Sequence, residues 1–298
     1  MRRIGNYDPR PKIHLVYDNR NYHCRDSYGT SNQKMNKFAE QYPRTPEGWI
    51  KFPEDAEVRR AIFPSEVMAH PAKANLFMME EIINYVSHPD DTLLDPMSGT
   101  GSLLIAVTMG RRVVLIDVEE GYHHLQQEAL EKLELVEPSV CDQATLLLGD
   151  CLAFLPLPCN HIIFSPPYGT ALKRKSKPRT KKDKALGGEY DIPEYCSSPK
   201  NLSNLSDFLY NQKMEQIYQK CFASLPPGGT MTIILKDHTK GGKRIKLSDW
   251  AMRVSIRAGF ELQDWFKRYS RGTGYLQLHK SKGVDVVEDE DIIVMRRS

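Results

Sequence analysis

From residue 75 onward, short β-rich runs alternate with longer helical runs, and this alternation limits the folds open to the chain. The pattern predicts strands at residues 92–95, 112–118, 144–149, 161–165, 230–236, 261–269 and 291–296. It predicts helices at residues 101–109, 119–135, 205–225 and 247–258. Strands that alternate with helices form a mostly parallel sheet with helices on both faces. We therefore expect an α/β fold with a Rossmann-like, mostly parallel, seven-stranded sheet.

The alternation also suggests how the chain is divided. Residues 1–65 are polar, rich in Tyr and Arg, and interrupted by prolines, which predicts an irregular N-terminal arm. Residues 66–298 hold the alternating pattern and form the predicted catalytic domain, with an insert at residues 169–204. A stretch of this length without a periodic pattern is either a functional loop or a disordered one. We expect the acidic residues 288–291 to form a solvated turn and Gly241-Gly242 to lie in a loop near the strand ends.

Composition excludes several classes of protein. The hydrophobic fraction of 40% is sufficient for a sizeable core, and no apolar run approaches the ~20 residues that span a bilayer. The first residues show no apolar segment of a signal peptide. The six cysteines form no C-x-x-C pair, and the nine histidines do not cluster with them at zinc spacing. We expect a reduced, cytoplasmic protein with no metal site and no membrane partner.

Positive charge is concentrated in the insert. The chain has a net charge of +3, yet the stretch between residues 173 and 184 contains eight cations and a single anion. A local basic run of this kind is typical of a surface that contacts nucleic-acid phosphates, although a solvated loop without a partner shows the same composition. The candidate nucleic-acid-binding residues are Lys173, Arg174, Lys175, Lys177, Arg179, Lys181, Lys182 and Lys184.

A glycine loop follows the first predicted strand. Residues 95–102 read Asp-Pro-Met-Ser-Gly-Thr-Gly-Ser, and two glycines between a strand and a helix allow the backbone to approach a nucleotide-like ligand closely. Leu104 occupies the third glycine position of the dinucleotide motif, which disfavours a nicotinamide oxidoreductase. The Asp95 carboxylate would repel a pyrophosphate but can accept hydrogen bonds from an ammonium group. The loop therefore favours a ligand with an amino-acid end.

Two further acids end the next two predicted strands. Asp117 can accept hydrogen bonds from two ribose hydroxyls, and Asp150 can accept one from an exocyclic adenine amine. Cys151 follows Asp150 and can contact the adenine edge. Each acid alone is also typical of a helix N-cap or a turn. Acids after three successive strands, with a glycine loop at the first, indicate an adenosine-containing ligand with an amino-acid tail.

The fourth predicted strand ends in Ser165-Pro166-Pro167-Tyr168. The two prolines cannot donate hydrogen bonds and impose an extended, rigid turn. The Ser165 hydroxyl and the Pro166 carbonyl can then accept from one amino group, and Tyr168 can stack on a base. A plain Pro-Pro turn is the alternative interpretation.

The motifs at residues 95–102 and 165–168 resemble those of the amino-group DNA methyltransferases, which methylate cytosine N4 or adenine N6. His70-Pro71-Ala72-Lys73 resembles the additional cofactor motif of that family, although it can also simply begin the next helix. The motif order resembles the gamma arrangement. The resemblance covers residues 66–298 and implies a class I methyltransferase fold and S-adenosylmethionine as cofactor. The implied cofactor-binding residues are His70, Pro71, Lys73, Asp95, Pro96, Ser98, Gly99, Thr100, Gly101, Asp117, Asp150 and Cys151.

The resemblance also implies a substrate. A target base within a DNA duplex must be flipped out to reach the active site, where Ser165, Pro166, Pro167 and Tyr168 would act. Serine at the first position of this tetrapeptide usually accompanies cytosine, so we predict a cytosine-N4 methyltransferase. Adenine-N6 methylation, guanine-N2 methylation of RNA and a non-catalytic nucleic-acid-binding module stay open. The family's usual target-recognition region would follow the last strand, where this chain stops, so we expect recognition by residues 1–65, by the insert or by a partner protein.

Overall fold

The computed structural model describes residues 38–69, 73–167, 201–240, 243–270, 280–281 and 286–298. All of them belong to one compact unit that starts at residue 37. The α-helices are α1 (Ala56–Ile62), α2 (Leu76–Val86), α3 (Glu120–Glu134), α4 (Cys151–Phe154), α5 (Asp207–Ser224) and α6 (Leu247–Arg257). Short 3₁₀ segments span Ser65–Ala69, Ser102–Met109, Pro138–Gln143 and Leu202–Asn204.

Seven strands form the main sheet: β1 (Thr92–Asp95), β2 (Arg112–Asp117), β3 (Ala144–Leu148), β4 (His161–Phe164), β5 (Thr230–Leu235), β8 (Glu261–Tyr269) and β9 (Asp289–Arg296). Their order is β3-β2-β1-β4-β5-β9-β8. The first five strands are parallel, and β9 runs antiparallel to both of its neighbours. This is the class I methyltransferase arrangement, and it confirms the predicted seven-stranded α/β fold.

Alternation along the strands builds two separate cores, one on each face of the sheet. In β1, Leu93 packs with α2, α3 and the segment Ser102–Met109, whereas Leu94 packs on the opposite face with α4, α5 and α6. In β5, Ile234 and Ile233 divide between the same two faces. Successive side chains of a strand point to opposite faces, so apolar runs buried on both sides require helices on both sides. No helix in the described ranges is long and apolar enough to span a membrane.

Residues 38–50, in the described part of the predicted N-terminal arm, pack on the outer edge of the sheet. The Ile50 amide donates to the Lys267 carbonyl at 2.9 Å, and the Ile50 carbonyl accepts from the Tyr269 amide at 2.8 Å. The Phe38 ring stacks on Phe266 of β8 with a centroid distance of 4.3 Å. Backbone pairing with β8 covers the edge of the sheet, which would otherwise present unpaired amides and carbonyls. The domain boundary at residue 65 stays a prediction.

The acidic residues 289–291 are buried in β9, so the prediction of a solvated turn there is wrong. Asp289 and Asp291 are each 1% exposed. The Lys267 ammonium lies 2.5 Å from a carboxylate oxygen of Asp289 and 2.6 Å from one of Asp291. The Trp265 indole also donates to Asp291 at 2.7 Å. Buried carboxylates are stable when cations and donors surround them, and here those partners come mainly from the neighbouring strand β8.

A small antiparallel hairpin, β6 (His238–Lys240) with β7 (Lys243–Ile245), follows β5 where the sequence predicted only a loop. Gly241 and Gly242 themselves lie outside the described residues. Arg244 fastens the hairpin to the sheet, because its guanidinium lies 2.8 Å from the Asp237 carboxylate and 2.7 Å from that of Asp289.

Replacement of Ile50 by alanine tests whether the segment at the sheet edge is part of the folded core. Ile50 is fully buried, and loss of a buried isoleucine side chain leaves a cavity, so Ile50→Ala should lower the free energy of unfolding by about 2–5 kcal/mol. Urea denaturation measures this as a lower midpoint with an unchanged slope. Val58→Ala, at a residue that is 41% exposed, is the control and should change stability little. Equal midpoints for Ile50→Ala and the wild type would contradict the packing.

Candidate cofactor cleft and active site

Most predicted site residues within the described part of the chain lie at the carboxyl edge of the parallel strands, in one cleft that opens to solvent. The strand order reverses direction between β1 and β4, and ligands of open α/β sheets bind at this position. Most of the predicted residues line the cleft: Lys73, Asp95, Pro96, Ser98, Gly99, Thr100, Asp117, Asp150, Cys151, Ser165, Pro166 and Pro167. Gly101 is buried behind the loop and does not line it.

Asp95 is the last residue of β1 and begins the glycine loop. One of its carboxylate oxygens accepts from the Met97 amide at 2.9 Å, and its side chain is almost entirely buried. Burial raises the pKa of Asp95, the Met97 hydrogen bond opposes the rise and the nearby charge of Asp117 adds to it, which leaves the pKa at about 8. Without a cationic partner, the Asp95 carboxyl therefore keeps its proton at neutral pH, and an ammonium ion placed against it would favour ionisation.

Asp117 holds the glycine loop from the end of β2. Its carboxylate accepts from the Gly99 amide at 2.6 Å and from the Glu119 amide at 2.9 Å. Burial raises the pKa of Asp117 to about 6, and these backbone hydrogen bonds oppose the rise. Gly99 has a φ of +51°, a left-handed conformation that favours glycine. The position of the second glycine of the motif, Gly101, is equally restricted, with a φ of +79°.

Asp150 and Cys151 contribute the third wall of the cleft, after β3. Asp150 is the N-cap of α4, where its carboxylate accepts from the Leu152 amide at 2.9 Å. The capping interpretation of this acid is therefore correct, and within the described part of the chain the second carboxylate oxygen is available to a ligand. Burial raises the pKa of the Cys151 thiol to about 12, so this sulfur is a neutral, apolar contact at pH 7.

The segment Ser165-Pro166-Pro167 follows β4 directly and faces the same cleft. Its side chains are half-buried or buried, and the Ser165 hydroxyl has no hydrogen-bond partner among the described residues. This hydroxyl can therefore accept from a group that enters the cleft. Phe164, the preceding residue, is buried against Tyr218 of α5, which fixes the end of the strand.

A buried arginine joins the segment before α2 to the glycine loop, and no sequence pattern predicts it. The Arg59 guanidinium, fully buried, donates to the Ser102 hydroxyl at 3.2 Å, to the Ala74 carbonyl at 2.5 Å and to the Asp55 carboxylate at 2.6 Å. Ala74 and its neighbour Lys73 line the cleft. Arg59 thus sets the distance between two walls of the cleft without lining it.

The structure adds cleft residues that sequence reasoning missed. They include Val118 and Tyr122, which follow Asp117, and Asn201 and Leu202, which precede α5. A hydrogen bond between the Glu119 and Asn201 side chains opposes the rise in the pKa of Glu119 that burial causes. Tyr122 could have been predicted as a cleft residue, because it is an aromatic residue in the first helical turn after the strand that ends at Asp117. Asn201 lies in the insert, where no periodic pattern marks it.

Other predicted site residues lie outside the described part of the chain. These are His70 and Pro71 of the additional cofactor motif, Tyr168 of the tetrapeptide and the basic run between Lys173 and Lys184. Their roles stay predictions.

The raised pKa of Asp95 predicts a pH-dependent stability of the cofactor-free protein. An unfolded aspartic acid loses its proton near pH 3.9, whereas folded Asp95 holds it to about pH 8. Between these values the folded state binds more protons, so this group lowers the free energy of unfolding as pH rises. Asn cannot ionise. As the pH rises from 5 to 8.5, we expect the free energy of unfolding of Asp95→Asn to increase by roughly 1–3 kcal/mol relative to that of the wild type.

Urea denaturation at both pH values measures this gain. Asp142→Asn, at an exposed position, is the control and should follow the wild type. A constant difference between Asp95→Asn and the wild type at the two pH values would contradict the protonated carboxyl.

Two sequence comparisons agree with this geometry. The N6_N4_Mtase DNA methylase family model matches residues 11–128, which include the glycine loop and Asp117 but end before β4. The "Putative methylase YubD" of Escherichia coli (strain K12) is 32% identical over 66 residues. That alignment spans 22% of this chain and 29% of the length of the curated relative.

Solved structures with a similar fold include TrmN from Thermus thermophilus and a methyltransferase from Pyrococcus furiosus. TrmN is 16% identical with a TM-score of 0.45, over 77% of this chain and 51% of its own. The Pyrococcus protein is 13% identical with a TM-score of 0.47, over 82% of this chain and 94% of its own. The family match, together with the cleft, indicates S-adenosylmethionine as the cofactor, as expected. Both sequence matches are to methylases, and each covers less than half of this chain.

Proposed function

We propose that this protein transfers a methyl group from S-adenosylmethionine to the exocyclic N4 amine of cytosine in double-stranded DNA. The observation that supports the proposal is that Ser165-Pro166-Pro167, the glycine loop and the acids at the ends of the first three strands line one cleft. A methyl donor and an amino acceptor can therefore meet there. The gamma-like motif order and the flipped target base belong to the same proposal.

The donor set of the cleft fits the proposed cofactor. Asp95 offers a carboxylate whose ionised form needs a cation beside it, which suits the ammonium of an amino-acid tail. Asp117 offers lone pairs to ribose hydroxyls, and Asp150 keeps one carboxylate oxygen for an exocyclic amine. When bound, S-adenosylmethionine supplies an electrophilic methyl group on a sulfonium.

The Ser165 segment acts on the acceptor amine. An exocyclic amine is a poor nucleophile, because its lone pair is delocalised into the ring. Hydrogen bonds from its two N–H groups to the Ser165 hydroxyl and the Pro166 carbonyl favour a pyramidal nitrogen with a localised lone pair. In this proposal both acceptors face the nitrogen on which positive charge develops, so they would stabilise the transition state more than the bound substrate. The rigid proline backbone supplies the orientation.

The methylated nucleoside is the decisive product. Purified protein, DNA and S-adenosylmethionine should give N4-methylcytosine by mass spectrometry of the digested DNA. N6-methyladenine without N4-methylcytosine would overturn the choice of base and keep methyl transfer to DNA. Methylated guanosine in RNA, with unmodified DNA, would overturn the substrate class.

Removal of the Ser165 hydroxyl should slow the reaction. We expect Ser165→Ala to lower kcat by about tenfold or more, with a smaller change in the KM for DNA, because the lost acceptor matters most in the transition state. Steady-state kinetics separate the two constants. Ser139→Ala, at an exposed residue that is not among those lining the cleft, is the matched control. A raised KM for DNA with an unchanged kcat would contradict the role of Ser165.

The basic run between residues 173 and 184 is proposed to contact DNA phosphates. If four to six of its cations each neutralise one phosphate, their replacement by alanine should reduce the log–log salt slope of DNA binding by about 0.9 per contact. Affinity should fall similarly on all sequences, because phosphate contacts position a duplex without reading it. An unchanged slope would show that the run is only a solvated loop.

A further inference from the structure

One side chain outside the cleft fastens the glycine loop. Gln126 lies in the second turn of α3 and is completely buried, and it is not among the residues that line the cleft. Its amide nitrogen donates to the Ser98 hydroxyl at 2.9 Å and to the Gly99 carbonyl at 2.6 Å. Ser98 and Gly99 both face the cleft. The amide therefore holds the loop from outside the cleft.

The Gln126 contact completes a set of bonds that leaves Gly99 little freedom. The Gly99 amide donates to Asp117 at 2.6 Å, while its carbonyl accepts from Gln126. The Ser98 hydroxyl, which accepts from Gln126, donates onward to the Ile116 carbonyl at 3.1 Å. Both sides of the loop are thus tied to the β2–α3 unit. Loss of the Gln126 donors would release the Gly99 carbonyl and leave the bond from the Gly99 amide to Asp117 without this second restraint on the same residue.

Packing restricts the loop at the same place. A Cβ atom added to Gly101 would lie 2.9 Å from Cγ of Gln126, so the loop backbone rests directly on this side chain. The amide oxygen of Gln126 is buried and has no partner within the described residues. A buried polar atom without a partner is unfavourable, and a leucine would fill similar space without that cost. The two hydrogen bonds donated by the nitrogen account for the presence of an amide here.

We propose that Gln126 is a positioning residue that sets cofactor affinity by holding the glycine loop in its binding conformation. It acts through Ser98 and Gly99 and does not itself contact the cofactor. This role requires that S-adenosylmethionine occupies the cleft, but it does not depend on which base or nucleic acid is methylated.

The test compares two adjacent glutamines on α3. Gln126→Leu keeps the bulk and removes both donors, whereas Gln127→Leu changes an exposed residue on the same turn. Calorimetric titration with S-adenosylmethionine should give a Kd raised by about tenfold or more for Gln126→Leu and unchanged for Gln127→Leu. At saturating cofactor, kcat should return to near the wild-type value, and the KM for the nucleic acid should not change.

A second variant gives a readout that a merely structural role would not show. In Gln126→Glu, a protonated carboxyl can still donate to the Gly99 carbonyl, whereas the ionised form cannot and repels it. Asp95 and Asp117 titrate in the wild type as well, so each pH compares the variant with the wild type. The ratio of the two Kd values should be small at pH 5.5 and should grow toward pH 8. Gln127→Glu should keep a ratio near one throughout.

Each outcome decides a separate question. A folded Gln126→Leu protein with wild-type Kd overturns the role of Gln126, as does a loss confined to melting temperature. If Gln126→Leu does not fold, the role of Gln126 is overturned when the ratio of the Kd of Gln126→Glu to that of the wild type does not change with pH. Failure of the wild type itself to bind S-adenosylmethionine would refute the cofactor assignment, independently of Gln126.

Discussion

Two carboxylates buried at the ends of adjacent parallel strands impose the conformation of the cleft. Asp95 and Asp117 lie where β1 and β2 stop, and burial opposes their ionisation. The backbone compensates: the Met97, Gly99 and Glu119 amides point at these oxygens. The glycine loop is therefore folded around the two acids, and its left-handed glycines follow from that path. The remaining lone pairs face the cleft, where a ligand with donors and a positive charge would satisfy them.

The order of the strands brings the acceptor motif to the same cleft. Because β4 is the neighbour of β1, the Ser165 segment lies beside the glycine loop although 70 residues separate Asp95 from Ser165 in sequence. Buried polar side chains outside the cleft then fix its walls. Arg59 ties the segment at Ala74 to Ser102, and Gln126 ties Ser98 and Gly99 to α3. Directional hydrogen bonds of this kind favour one arrangement where apolar packing alone would allow several.

The strands could be predicted from the sequence, but the buried polar side chains that contact the loops after them could not. Strand β8 was predicted with the observed bounds, and β1 likewise, because β-rich runs flanked by turn residues carry their own signal. The cleft acids were found because each ends a strand. Gln126 and Arg59 were missed, since a single polar residue in a helix is typical of solvent exposure, and only tertiary contacts bury it.

The acidic residues of β9 show the same limit. A run of acids in the sequence favours a solvated turn, and the cations that neutralise Asp289 and Asp291 come from distant positions in β7 and β8. The packing of residues 38–50 on β8 was also not predicted from the sequence, because prolines and polar residues surround Ile50, the buried residue whose backbone pairs with β8. Local periodicity reports the face of an element, and it does not report which distant side chain will meet it.

Proton release on cofactor binding tests the central claim most directly. If the ammonium of S-adenosylmethionine pairs with Asp95, a carboxyl with a pKa of about 8 must give up its proton on binding. Titration calorimetry at pH 7 in buffers of different ionisation enthalpy counts that proton. The account predicts release of about one proton by the wild type and little by Asp95→Asn. Tight binding by the wild type with a binding enthalpy that does not depend on the buffer would contradict the account.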